Sequence, residues 1–136
     1  GKDYIYWNGQ KSGPYDVAGI LGVPVPAVGA LAVFEAHIDG AVCLVNSLGE
    51  LLYKGLFFPR AVTYSGDGSE FATIVYTPGE SYLVTNAGVA GPFSYIWDDF
   101  YFPEDGSGVV CTFTQNGVVQ RGKFSDRRLI TGHNFD

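Results

Sequence analysis

Four glycine-centred turn signals set the tightest limit on how this chain folds. They read Trp7-Asn8-Gly9, Leu48-Gly49-Glu50, Pro78-Gly79-Glu80 and Asn116-Gly117, and apolar runs flank each of them. Glycine between two short apolar runs supplies the positive φ that a tight β-hairpin turn requires. Two of the turns belong to similar segments. Gly40-Ala-Val-Cys43 reaches Gly49 nine residues on, and Gly108-Val-Val-Cys111 reaches Gly117 at the same spacing. Asp67-Gly68-Ser69 and Asp105-Gly106-Ser107 each precede a turn glycine by twelve residues. The chain therefore reads as successive hairpins, with weak repetition over 40–57, 67–85 and 105–124.

The segments between the turns carry strand patterns. Ala30 to Asp39 alternates, with Ala30, Ala32, Phe34, Ala36 and Ile38 facing one way and Glu35, His37 and Asp39 the other. Val17 to Val28 is apolar but holds Gly19, Gly22, Pro24 and Pro26, so it predicts irregular or edge structure. Gly13-Pro14 reads as a breaker, and Phe93 to Phe102 as one aromatic strand interrupted by Asp98-Asp99. The result is about ten short strands with little helix, the pattern of an antiparallel sandwich or small barrel, jelly-roll topologies included. A length of 136 residues fits a single all-β domain over 1–136.

Tyr53-Lys-Gly55-Leu-Phe57 and Gln120-Arg-Gly122-Lys-Phe124 resemble the core of MORN hairpin repeats, which run tyrosine-x-glycine-x-phenylalanine after a turn glycine. The second tract lacks the tyrosine, and neither continues with the family's next glycines. The resemblance implies hairpins at these two tracts and nothing about a ligand.

Charge narrows the partners. A net charge of −6 repels phosphate, which argues against nucleic acid. The longest apolar stretch, Val23 to Val33, contains Pro24, Pro26 and Gly29 and is too short to cross a membrane as a helix. The chain opens at Gly1 and has no methionine, so its start reads as a processed end or a cut boundary. A cleaved secretory signal fits the former. Low charge with many aromatics and glycines fits a secreted, extracellular or virion-surface protein.

Cys43 and Cys111 occupy matching places in the two similar hairpins, each inside an apolar strand. Two readings stand at this point: a pair of buried thiols acting as small hydrophobes, or one disulfide between them. No CxxC spacing indicates zinc.

Three groups of side chains invite chemistry. Glu35, His37 and Asp39 would stand in a row on one strand face, an arrangement that suits general acid–base work or a divalent metal. Tyr95, Trp97, Asp98, Asp99 and Tyr101 combine rings that stack on sugar faces with carboxylates that accept from hydroxyls. Asp67, Glu70, Glu104 and Asp105 lie in glycine-rich turns whose oxygens suit calcium, although neither turn matches a known loop spacing. The basic residues Arg121, Lys123, Arg127 and Arg128 lie close together near the end, opposed to the acids of 98–105. No nucleophile elbow, P-loop or dinucleotide fingerprint occurs. The sequence therefore points to a non-catalytic recognition module for a glycan or a protein surface. A self-associating structural subunit of an extracellular filament or virion assembly and a small hydrolase or isomerase built on Glu35, His37 and Asp39 are the alternatives.

Overall fold

A computed structural model describes residues 1–7, 9–20, 32–57, 59, 62–66, 68–104, 108–125 and 128–132. The described residues form fourteen strands in four antiparallel sheets and no helix. The first sheet is a hairpin, β1 (Asp3–Trp7) with β2 (Gln10–Tyr15). The second runs β3 (Val17–Ile20), β4 (Val33–Ile38), β5 (Ala41–Asn46) and β6 (Leu51–Gly55) in chain order. The third runs β7 (Thr63–Tyr64), β8 (Phe71–Thr77), β9 (Glu80–Thr85) and β10 (Gly88–Phe93). The fourth runs β11 (Tyr95–Ile96), β12 (Val109–Gln115), β13 (Val118–Ser125) and β14 (Arg128–Thr131).

Strand alternation stacks these sheets in chain order. Ile5 and Tyr15 of the first sheet bury against Phe34, Ala36, Cys43 and Val45 of the second. On the opposite face of the second sheet, Val33 and Leu44 meet Phe71, Val75 and Val84 of the third. The other face of the third sheet, with Ala72, Ile74, Leu83 and Phe93, packs on Ile96, Cys111, Phe113 and Phe124 of the fourth. The two inner sheets are thus apolar on both faces, which is why β5 and β8 read as nearly continuous apolar runs.

A longer repeat organises the stack. Tyr4-Ile5 and Gly13-Pro14-Tyr15 recur 78 residues later as Tyr82-Leu83 and Gly91-Pro92-Phe93. Both copies shift register at the glycine: Asp3 pairs with Tyr15 and Ile5 with Ser12, while Ser81 pairs with Phe93 and Leu83 with Ala90. Gly13 has φ +120° and Gly91 φ +126°. A Cβ on Gly91 would lie 2.9 Å from the Ser81 carbonyl oxygen, and one on Gly13 would lie 3.0 Å from that of Asp3. Each bulged strand buries its aromatic residue, and one further residue, Asp16 or Ser94, carries the chain into the next sheet. The turns Asp39-Gly40 and Asn116-Gly117, all four residues at positive φ, extend the match through β4–β5 and β12–β13. Strands β1–β6 therefore correspond to β9–β14.

The structure corrects three expectations. The run Phe93 to Phe102 is not one strand: β10 ends at Phe93, β11 covers Tyr95–Ile96, and Asp98-Asp99 form an exposed turn. Gly13-Pro14 does not break its strand but sits in the bulge at the end of β2. Cys43 and Cys111 are free thiols. They lie in different core clusters, one between the first two sheets and the other between the last two, so the disulfide reading gives way to that of two buried thiols. Asn8, 21–31, Asp67, Asp105, Arg127 and His133 lie outside the described residues, and so do the parts of the predicted strands and turns that fall there.

Gly91→Ala combines positive φ with a backbone collision, so it is expected to destabilise by more than about 1 kcal/mol. Gly79→Ala, at φ +83° with no atom within 4 Å of its new Cβ, should cost less. Urea unfolding of both variants measures the difference.

Candidate functional site

The outward face of the fourth sheet is built from three rows of cross-strand neighbours. Partners across an antiparallel ladder point to the same side. Ile96, Val109, Cys111 and Phe113 face the core, so Tyr95, Val110, Thr112 and Thr114 face away from it. The first row is Tyr95, Thr114 and Val119. The second begins at Trp97, whose amide donates to the Thr112 carbonyl at 2.9 Å, and continues to Arg121. In the third, Tyr101 bridges to Val110, which pairs with Lys123, which pairs with Ile130.

Each row starts with one of the aromatic residues singled out in the sequence. Tyr95 and Trp97 stand edge to face with ring centroids 5.0 Å apart. Tyr76 extends the cluster from the third sheet, 5.6 Å from Tyr95, and its hydroxyl donates to the Ile96 carbonyl at 2.7 Å. Tyr101 is held from the other side: Arg121 donates to its hydroxyl at 3.2 Å and lies 5.6 Å from its ring centroid. Tyr95, Asp98 and Asp99 are exposed, while Trp97 and Tyr101 are half-buried. Beside this face, Thr112, Val118, Val119, Gln120, Arg121 and Thr131 line a groove of about 730 Å³, within the size range of small-ligand sites. Phe100 and Phe102 turn inward against the core.

The internal repeat shows how unusual this face is. Val33, Glu35, His37, Val42, Leu44 and Asn46 of the second sheet correspond to Val110, Thr112, Thr114, Val119, Arg121 and Lys123. Leu44 is fully buried beneath the third sheet. Its counterpart is the cation Arg121, and that of Asn46 is Lys123. Charge at these positions opposes cover by a further apolar sheet, as polar outer faces do at the ends of repeat stacks.

The other expected groups assemble less completely. Glu35 Oε2 lies 2.8 Å from His37 Nε2, and both side chains are half-buried. Asp39 does not complete their row, because β4 ends at Ile38 and Asp39 turns at φ +50°. Its amide instead donates to Asp16 Oδ2 at 3.0 Å. The Lys2 ammonium also donates to Asp16, and these two bonds hold the Asp16 carboxyl below the usual carboxylate range. Glu70 lies in the loop before β8, where its amide donates to the Ser65 hydroxyl, and Glu104 is exposed before β12. The described residues contain no group of three or more His, Cys, Asp or Glu side chains able to hold a metal ion.

Sequence reasoning found the aromatic residues and missed their partners. Arg121 and Lys123 read there as part of a basic tail. The alternation Val119, Arg121, Lys123 was the available signal, but only the ladder register sets it beside Trp97 and Tyr101. No family model, curated protein or solved structure matches this chain. The two MORN-like tracts fall on strands of different rank, β6 and β13.

Beneath this face, burial pushes the Cys111 thiol up to about 12, helped by Asp99 and opposed by Arg121. Burial also raises Cys43. Both thiols should resist a thiol reagent in the folded protein, and both should react after unfolding. Between pH 9 and about 12 the unfolded Cys111 thiol loses its proton while the folded one keeps it, so stability falls as pH rises through that window. Urea unfolding across it should show a shallower fall for Cys111→Ala.

Proposed function

We propose that this protein is a non-catalytic recognition module, acting outside the cell or on a particle surface, that binds glycans on the outward face of its fourth sheet. The observation that carries this reading is the Tyr95–Trp97 pair, edge to face on the outward side of the fourth sheet with Thr112 and Arg121 in the adjoining row. A sugar ring has an apolar C–H face and a rim of hydroxyls that both donate and accept. The aromatic faces take the first by stacking. Arg121 and Lys123 donate to the rim, Asp98 and Asp99 accept from it, and Thr112 and Thr114 do either. The groove beside Arg121 gives a second sugar unit room to follow the first.

A solvent-facing, half-polar face with an open groove fits recognition, whereas catalysis calls for an enclosed site that excludes water. Asp39 stands out of the row of Glu35 and His37, so the three residues that the hydrolase reading names do not line up.

An oligosaccharide array followed by titration of the best ligand tests the proposal. Trp97→Ala should weaken binding at least about tenfold, equivalent to ~1.4 kcal/mol, while Trp97→Phe keeps most of it. Amide resonances of Tyr95, Thr112 and Arg121 should shift on binding. Absence of any oligosaccharide ligand, or undiminished binding by Trp97→Ala, would reject the reading.

A further inference from the structure

The cations of the fourth-sheet face stand where the repeat elsewhere places neutral side chains. Arg121 takes the position of Leu44, and Lys123 that of Asn46. Two residues apart on β13, they point to the same side, with Cα atoms roughly 7 Å apart. The Arg121 guanidinium donates to the Tyr101 hydroxyl at 3.2 Å and lies 5.6 Å from that ring centroid. Tyr101 bridges to Val110, and Val110 pairs with Lys123. Arg121 therefore leans out of its own row toward the row of Lys123, and the two positive charges share one side of the face.

The acids of the face lie on the other side. Asp98 and Asp99 occupy the exposed turn between Trp97 and Tyr101, both of which bond to β12. That turn stands two strand spacings from β13, roughly 10 Å, with Val110 and Thr112 of β12 between them. The Cys111 thiol beneath feels both signs, raised by Asp99 and lowered by Arg121. The face thus runs from negative beside Trp97 to positive at Arg121 and Lys123, and the groove lined by Thr112, Val119 and Arg121 adjoins its positive side. A net charge of −6 repels anions from the protein as a whole. Charges more than about 8 Å away are largely screened at physiological salt, so the nearest cations decide what this face attracts.

We propose that the glycan bound on this face is acidic: a sugar ring bearing an exocyclic carboxylate or sulfate, with the anion over Arg121 and Lys123 and the ring stacked on Trp97. This preference rests on the glycan reading above and adds to it a charge and a direction. An ionised oxygen makes shorter and stronger bonds to a guanidinium or an ammonium than a hydroxyl does. The ring hydroxyls then turn toward Asp98 and Asp99, which accept from them. The reverse orientation sets the anion against these two carboxylates, so the same pattern that attracts the ligand also orders it. Carboxylate and sulfate satisfy the same cations, and matched ligands tell them apart.

Two matched pairs titrated into the full chain test this: oligogalacturonate against its methyl ester, and a sulfated galactan oligomer against its desulfated form. Within each pair the rings are the same and the charge differs. The charged member of at least one pair should bind at least about tenfold tighter than its neutral twin, and that pair names the anion. The ratio should shrink as sodium chloride is raised. Arg121→Gln with Lys123→Gln should bring it to within about twofold, and Lys123→Gln alone should lower it if the double variant does not fold. No binding by either charged member, equal or tighter binding of the neutral twins, or a ratio unmoved by salt and by these substitutions would overturn the assignment. Where the neutral twins bind and Trp97→Ala weakens them, the glycan reading stands and only the acidic preference falls. Absence of binding by any oligosaccharide, charged or neutral, rejects both.

Discussion

Cover on both faces of the inner sheets is the constraint on which this structure depends. Val33 and Leu44 point one way from the second sheet and Phe34, Ala36, Cys43 and Val45 the other, and both sets are buried. The third sheet repeats the arrangement with Phe71, Val75 and Val84 against Ala72, Ile74 and Leu83. A one-residue slip in such a strand would exchange its two sets between differently shaped clefts, so register is fixed from both sides. Deletion of a large inner side chain such as Leu44 costs the transfer free energy of that group plus a cavity, about 2–5 kcal/mol.

Among the described residues the first and fourth sheets each pack on one neighbouring sheet, and the chemistry outside the core lies on them. At the fourth sheet, Arg121 and Lys123 replace the types of side chain that the second sheet presents to its neighbour, and the aromatics Tyr95, Trp97 and Tyr101 stand beside them. At the first sheet, Tyr4 and Tyr6 are exposed. The same repeat that builds the core thus marks, by its departure at the fourth sheet, a polar face.

Much of the fold was legible in local chemistry. The turn glycines Gly9, Gly49, Gly79 and Gly117 all have positive φ, as their neighbouring apolar runs imply. What escaped was non-local. Gly13-Pro14 and Gly91-Pro92 look like breakers, yet at a bulge on an edge strand the missing proline N–H leaves no ladder bond unmade. Ser94 divides the apparent run from Phe93 to Phe102 between two sheets, and among the described residues fourteen strands stand where about ten were expected. Asp39 follows strand alternation in the sequence but belongs to a turn. At the candidate site the rings were visible as a local cluster, while Thr112 and Arg121 reach them only through pairing that the sequence does not display.

The most direct test of the account is whether the fourth-sheet face is open in solution where its counterpart in the second sheet is closed. Residue-resolved NMR with a soluble paramagnetic agent measures that difference. Strong broadening at the Tyr95, Trp97 and Arg121 side chains, with Val33 and Leu44 spared, is the predicted result. Equal protection of Arg121 and Leu44 would contradict it, because the face assigned to recognition would then be buried against another surface.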